Sequence, residues 1–426
     1  MSIDAVFAQF FDDIPDPRQH AKIYYPFYDV LFLTVCAVIG GADGWEDIED
    51  FGEVHLPWFQ SKGLFKNGIP VHDTIARIIS GIKPEPFQAA FVRWTQAINQ
   101  HTEGALVAID GKTLRSSYNR EDRTSTIHMV SAYAAANKLV LGQIKTDAKS
   151  NEITAIPDLL ALLDIKGCLV SIDAMGCQTE IAETILQQSG DYLLAVKGNQ
   201  PKLFEAVRQA LAPLAATPLC AATMTLDKAH GRIDGREYHI MAAGELAAQF
   251  PHWEQLRSIG VAISYRIEKR EKITIEQRYY ISSKALTRDE FARSVRGHWA
   301  IENSLHWVLD VTMGEDDCPI YRGDAAEILA CIRHMGLNML RAETSRKASI
   351  RRKQKIAGMS SEYLEKVLNG GVSGNPRKFR HSALWNFFGG VVRGMTTRQR
   401  LPHLSEALWR DAETPGNSAT PVPGPQ

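Results

Sequence analysis

Three carboxylates stand out by their surroundings. Asp110 closes the apolar run Ala105-Leu-Val-Ala-Ile-Asp110, and Asp173 closes the near-copy Cys168-Leu-Val-Ser-Ile-Asp173. Runs of this texture read as buried strands, and two such strands in one sheet would set both acids side by side. Carboxylates that close repel each other unless a proton or a cation lies between them. The third acid is Glu302. Phe291, Val295, Trp299, Glu302, Leu305 and Leu309 recur at spacings of three and four, which places Glu302 inside the apolar stripe of a helix. A carboxylate there needs a partner or a metal. Three such acids around one point would make an all-oxygen site suited to Mg2+ or Mn2+. Two ions about 4 Å apart would then stabilise the attacking and leaving oxygens of a phosphoryl transfer. Plainer readings stay open: Asp110 and Asp173 as loop or helix-capping residues, and Glu302 in a structural ion pair with Arg296 or His298.

Positive charge gathers near these acids and beyond them. Lys112 and Arg115 follow Asp110 closely, and Lys197 ends another strand-like run. Residues 341–355 hold Arg341, Arg346, Lys347, Arg351, Arg352, Lys353 and Lys355 against one acid, Glu343. Residues 376–400 add Arg377, Lys378, Arg380, Arg393, Arg398 and Arg400 with no acid. Such clusters suit phosphate backbones, with a solvated helix face as the plain alternative. The chain has no phosphate-binding Gly-rich loop ending in Lys-Ser or Lys-Thr, no HExxH, no GxSxG and no zinc-spaced Cys/His set. His128, His230, His298 and His306 are scattered and read as structural. Glu315-Asp316-Asp317 reads as an exposed acidic turn.

These residues must be positioned by elements whose texture changes along the chain. Residues 1–100 read as an all-helical module punctuated by Pro15, Pro17, Pro84 and Pro86. From 101 to 200 the order is strand, hairpin about Asn137-Lys138, helix, strand, helix, strand, which argues for a mixed sheet covered on both faces. Alternation over 237–241, 257–265 and 273–281 makes residues 201–285 a β-rich insertion. A helix from Thr287 to about Leu309 comes next, opened by a capping box of Thr287 and Glu290. It belongs to a segment, 286–368, that completes the core and ends in the basic stretch. Residues 369–426 turn to Gly, Pro, Ser and Thr and read as an atypical, partly disordered tail.

Composition sets the outer bounds. The chain has 426 residues, 45% hydrophobic and 23% charged, an ordinary globular balance that excludes a rod or a mainly disordered chain. Lys and Arg total 48 against 49 Asp and Glu, so nucleic-acid affinity must come from local patches. The longest apolar run, Val30 to Gly41, is short of the ~20 residues of a membrane span. The amino terminus lacks a basic, then apolar, leader. Six cysteines without a C-x-x-C pair read as reduced thiols. The expectation is a soluble, cytoplasmic protein without a membrane partner.

The chain resembles the DDE-type insertion-sequence transposases, and within them the H-repeat-associated proteins linked to rhs elements. The resemblance rests on Pro70-Val-His-Asp-Thr, Ala108-Ile-Asp-Gly-Lys-Thr113, Ser171-Ile-Asp-Ala-Met175, Leu194-Ala-Val-Lys-Gly-Asn-Gln200, His230-Gly-Arg and Gly297-His-Trp-Ala-Ile-Glu-Asn303, then Leu305-His-Trp and Leu309-Asp-Val. It covers roughly residues 5–368. It implies an α/β fold with an RNase H-like mixed-sheet catalytic core, a β-rich insertion before the third acid, and a helical amino-terminal domain that is transposase-associated. It also implies that Asp110, Asp173 and Glu302 are the catalytic, Mg2+-binding triad, with Mn2+ able to substitute. The partners it implies are double-stranded DNA, as element ends and target, and further copies of the chain in a DNA-bound oligomer. Relatives often carry an Arg four residues before the Glu and a Lys seven after; here His298 and Leu309 stand there. Candidate DNA contacts are Lys112, Arg115, Lys197, Asn199, Arg296, His298, Arg346, Lys347, Arg351, Arg352 and Lys353. The reading is a DNA transposase that cleaves and joins strands. Its alternatives are an inactive relic that only binds DNA and a general metal-dependent nuclease that cleaves without joining.

Overall fold

The computed structural model describes residues 9–19, 23–99, 104–118, 126–146, 152–215, 225–229, 232–267 and 273–370. The tail from 371 onward, the His230-Gly231 motif and Cys220 lie outside the described residues. Helices α1 (Phe27–Gly40), α2 (Trp45–Ser61), α3 (His72–Ile79) and α4 (Pro84–Ile98) come first. Strands β1 (Leu106–Leu114), β2 (Ile127–Ala134) and β3 (Leu139–Lys145) come after them, then α5 (Glu152–Leu162), β4 (Leu169–Ile172), α6 (Thr179–Gln187) and β5 (Asp191–Val196). Next are α7 (Pro201–Ala215), β6 (Thr225–Ala229), β7 (Arg232–Ala242), α8 (Glu245–Gln249), β8 (Ser258–Ile267) and β9 (Ile273–Ser282). The chain continues through α9 (Arg288–Ile301), a π-helical turn (Glu302–His306), α10 (Trp307–Met313), α11 (Ala325–Ala342), α12 (Ile350–Met359) and α13 (Ser361–Gly370).

The strands form one sheet in the order β3-β2-β1-β4-β5-β9-β8-β7-β6. Its parallel pairs are β1 with β4 and β4 with β5, and the other pairs are antiparallel. The β-rich insertion expected from alternation is therefore a continuation of the core sheet past β5. Parallel strands must be covered on both faces, and the uninterrupted apolar runs of β4 and β5 answer that demand. The face that holds Val107, Ile109, Val170 and Ile172 packs under α5, α6 and α7 in one apolar cluster. The opposite face of β1 carries Ala108, which belongs to a second cluster.

That second cluster joins both ends of the described chain. It contains Phe32, Phe59, Phe87 and Phe91 from the first hundred residues and Ile301, Leu305, Leu309, Met335 and Leu364 from beyond residue 300. The early helices thus share a core with the helix that bears Glu302. Helix α1, the longest apolar run, is buried almost throughout, and no single described helix is long and apolar enough to cross a membrane. Cys36, Cys168, Cys177, Cys318 and Cys331 are free and buried.

Two details set the start and the height of α9 above the sheet. Thr287 caps α9 as expected: its hydroxyl accepts from the Glu290 N–H, and the Glu290 carboxylate accepts from the Thr287 N–H at 2.8 Å. Gly297 lets the same helix lie close on β1, because a Cβ there would run into the Leu106 side chain.

Candidate active site

The sheet itself brings Asp110 and Asp173 together. The last β1–β4 pair is Ile109 with Ile172, so the two acids are the next residues on adjacent parallel strands. They differ in one respect from the expectation. β4 ends at Ile172, but β1 runs on to Leu114 paired only with β2, so Asp110 is mid-strand, opposite Ser131. The short neighbour, not the end of its own strand, opens space beside Asp110. Asp173 begins a tight turn, its Oδ1 accepting from the Met175 N–H at 3.0 Å and the Gly176 N–H at 3.4 Å. Those bonds fix the carboxylate at the mouth of the gap.

Glu302 comes from the helix layer above. The expected helix from Thr287 to Leu309 is in fact broken: α9 gives way to a π turn that starts at Glu302 itself, and α10 comes after it. Single π turns inside helices occur often at functional sites. The stripe of Phe291, Val295, Leu305 and Leu309 is buried, but Glu302 and Trp299 are exposed, contrary to their expected place in it. Phe291 and Val295 pack in a cluster with Leu169 and Leu193 of the sheet, Leu305 and Leu309 pack in the cluster of the early helices, and Glu302 falls between them where the π turn starts. Arg341 holds the turn open by donating to the Ser304 carbonyl, and to the Lys138 carbonyl at 2.8 Å. Among the described residues Glu302 forms no ion pair, so neither Arg296 nor His298 neutralises it.

The electrostatics show a deficit of positive charge. Burial first, then the charges of Glu152, Asp173 and Glu302, push Asp110 up to about 7 against the help of the Gly111 N–H. Asp173 is also raised, by burial and by Glu152, against its turn N–H groups and Lys197. His306 Nδ1 lies 3.6 Å from Asp110 Oδ2, but burial and then Lys112 hold that imidazole down at about 4, which leaves it neutral. The donors that meet here are carboxylate oxygens, the set that hard divalent cations prefer. Among the described residues no three His, Cys, Asp or Glu side chains form a ready-made cage. Open carboxylate sites of this kind suit Mg2+, which keeps waters and takes substrate phosphate oxygens as further ligands.

The cations expected to meet DNA divide into two groups. Arg115, Lys197, Asn199, Arg296, Arg346, Lys347, Arg351 and Arg352 are exposed, with Asn199 also donating to the Ala174 carbonyl at 2.6 Å. Lys112, His298 and Lys353 are not available at the surface. The Lys112 ammonium is enclosed by Asp310, by Glu315 and, at 3.4 Å, by Asp316. His298 is buried, shares a hydrogen bond of 3.0 Å with Ser171 on β4, and is pushed down to about 4 by burial. It anchors the helix to the sheet as a neutral ring. Lys353 donates to the Leu340 and Glu343 carbonyls. The exposed acidic turn expected at Glu315-Asp316-Asp317 is corrected too: Glu315 is buried, and only Asp317 of the three is exposed.

Sequence reasoning missed Glu152. It is the first residue of α5, where an acid reads as a partner of the helix dipole. Only the fold carries it to β1, where it lies beside Gly111 and bonds His128 at 2.7 Å.

Comparisons with known proteins give the family of the chain. Residues 8–95 match the family model described as DDE_Tnp_1-associated, and residues 101–339 match the model described as Transposase DDE domain. The chain is similar to two Escherichia coli (strain K12) proteins, the "H repeat-associated putative transposase" YhhI and its namesake YbfD. The first is 48% identical over 363 residues, 84% of this chain and 96% of that protein. The second is 51% identical over 230 residues, 54% of this chain and 90% of that protein. A solved structure of a piggyBac transposase synaptic complex with hairpin DNA aligns at 11% identity and TM-score 0.41, over 96% of this chain and 88% of that one, a likeness too slight to bear on the site. The chain belongs to the DDE transposases, with the family's associated amino-terminal module in place.

Proposed function

We propose that this chain is a DNA transposase whose Asp110, Asp173 and Glu302 hold Mg2+, or Mn2+ in its place, at the open end of the β1–β4 pair. The observation that carries the reading is the placing of Asp110 and Asp173 at one level on adjacent parallel strands, with Glu302 close enough to act on Asp110, whose pKa burial and these charges push up to about 7. A divalent ion held there would lower the cost of negative charge on the attacking and leaving oxygens of a DNA phosphodiester. The protein's own groups do the rest. The Met175 and Gly176 N–H groups hold the Asp173 carboxylate in place, and His298 on Ser171 fixes the approach of the Glu302 helix. Arg115, Lys197, Arg296, Arg346, Lys347, Arg351 and Arg352 offer exposed positive charge and hydrogen-bond donors for the DNA backbone. Double-stranded DNA is the partner this surface suits, and synapsis of two ends would require more than one copy of the chain.

Less supports a relic that binds DNA and does nothing to it: the chain spans 96% of YhhI and retains Asp110, Asp173 and Glu302. The test is an assay of strand cleavage and strand joining, with Mg2+ and duplexes carrying the terminal sequences that flank this gene. Asp110→Asn, Asp173→Asn and Glu302→Gln should each lower both steps by about 10²–10³ or more, the scale of losing one transition-state stabiliser. Full activity in any one of them removes that residue from the triad. Cleavage of arbitrary DNA without joining would favour the general nuclease.

A further inference from the structure

Glu152 approaches the triad from the face of the sheet opposite Glu302. It starts α5, whose Ala155, Ile156, Leu159 and Leu160 are buried in the cluster under the sheet, the helix packing on β2 and β3. β1 makes room for it. A Cβ built on Gly111, the residue after Asp110, would fall on the Glu152 carboxylate and within 2.6 Å of His128 Nε2. Glycine is thus the residue that lets this carboxylate reach the strand at the level of Asp110.

The carboxylate is held there. With its proton on Nε2, His128 donates to Glu152 Oε1 at 2.7 Å, and its Nδ1 accepts from the Thr113 hydroxyl at 2.9 Å. Thr113 and His128 are register partners on β1 and β2, so the ring is fixed by two strands at once. A ring held on one side and bonded to a carboxylate on the other sets the direction of that carboxylate. The Glu152 side chain is only 13% exposed, and its charge acts on both Asp110 and Asp173. An acid that serves only α5 could sit in solvent at the helix end, with no glycine beneath it and no histidine beside it.

We propose that Glu152 is a fourth carboxylate of the cation site, held by His128 and reaching Asp110 through the space left by Gly111. This rests on the reading of Asp110, Asp173 and Glu302 as the cation-binding triad. Glu152 would share an ion with Asp110 and Asp173 from one side of the sheet while Glu302 closes the site from the other. Its role is to bind and orient the ion, with no proton transfer of its own.

The experiment is calorimetric titration of the DNA-free protein with Mn2+, for wild type, Glu152→Gln and Asp110→Asn, alongside melting curves with and without Mn2+. Glu152→Gln keeps the shape and an acceptor for His128 while removing the charge. The expected result is Mn2+ affinity at least about tenfold below wild type, since even groups one shell out from a metal change affinity by 10–100-fold. The Mn2+-induced rise in Tm should shrink in step. Wild-type affinity in Glu152→Gln with loss in Asp110→Asn overturns the fourth carboxylate and leaves the triad standing. Wild-type affinity in both overturns the triad and this inference with it. Should Glu152→Gln fail to fold, Glu152→Asp keeps the charge and shortens its reach, and the same loss of affinity is then required of it.

Discussion

Asp110 and Lys112 lie two residues apart on the same side of β1, and the acids around them are treated in opposite ways. Around Lys112 the carboxylates of Asp310, Glu315 and Asp316 converge on one ammonium, with Arg115 adding a contact of 3.3 Å to Asp316. Burial works against the charge of Lys112, but Glu315 and Asp310 outweigh it and its pKa is raised. Around Asp110 burial first, then the charges of Glu152, Asp173 and Glu302, push its pKa up to about 7, and among the described residues no Lys or Arg pairs with it. The first group is held together by the chain's own cations, although burial still raises Asp310, and it ties β1 to α10 and the turn after it. The second has no such contact from Lys or Arg to Asp110 among the described residues, which is what the proposed cation would supply. Crowding of acids alone therefore does not make a functional site. What marks one is crowding that the chain's own cations leave unanswered.

The largest effect should come from breaking the completed group. Lys112→Met keeps the length of the side chain but strands three acids, one of them 2% exposed. Removing one partner of a buried ion pair costs about 3–5 kcal/mol, which is a fall in Tm of roughly 10 °C for a domain of this size. Differential scanning calorimetry checks it. A change below about 1 kcal/mol would mean the network is solvated and adds little.

Neutralising the other group should do the reverse. Asp110→Asn removes one of several repelling charges, so the metal-free protein should gain about 1–3 kcal/mol. The same variant should lose its stabilisation by Mn2+. If melting without metal shows Asp110→Asn less stable than wild type, the acids are already balanced and the contrast between the groups fails.

Much of this was legible in the residues. The paired apolar runs ending in Asp110 and Asp173 put two acids at the same level of one sheet, because side-by-side parallel strands share register. Thr287 and Glu290 marked the helix start, and alternation marked the insertion. What stayed hidden depended on long-range placement. The stretch Gly111-Lys-Thr-Leu114 has no strand texture, yet it pairs with β2 because β2 continues alongside. The π turn at Glu302 changes one hydrogen-bond spacing and leaves no pattern in side-chain types. Lys112 looked like a phosphate contact because its partners lie about two hundred residues away. The helices of the first hundred residues read as a separate module, since nothing local shows that Phe32 and Phe87 share a core with Leu309 and Leu364.

An acid outside both groups calibrates the contrast. Glu327 on α11 is buried, accepts from Gln88 Nε2 at 2.5 Å, and is pushed up to about 7 by burial, with Lys145 partly opposing. Its folded pKa lies above the ordinary 4.5, so between those values the folded protein holds a proton that the unfolded chain has released. Stability should therefore fall as pH rises through that window, by about 1–3 kcal/mol for this group. Glu327→Gln should match wild type near pH 4.5 and exceed it by that amount at pH 8. A difference independent of pH would mean the carboxyl does not titrate in this window. Its magnitude gives the cost of one uncompensated carboxylate in this fold, against which the gain in Asp110→Asn can be set.

The smallest effect concerns cations that answer no acid of the second group and face solvent. Arg351 and Arg352 are exposed on α12, while Lys353 beside them is buried and donates to backbone carbonyls. Each exposed cation that neutralises a phosphate releases about 0.9 of a counterion on duplex binding. Arg351→Ala with Arg352→Ala should leave Tm nearly unchanged and weaken duplex binding only modestly at low salt. The slope of log affinity against log salt concentration should become shallower by about two. Lys353→Ala should instead lower Tm, because it leaves the Leu340 carbonyl without its donor. An unchanged salt slope in the double variant would make this face of α12 a solvated surface. The next cation to test would then be Lys197, which is exposed and whose charge acts on Asp173.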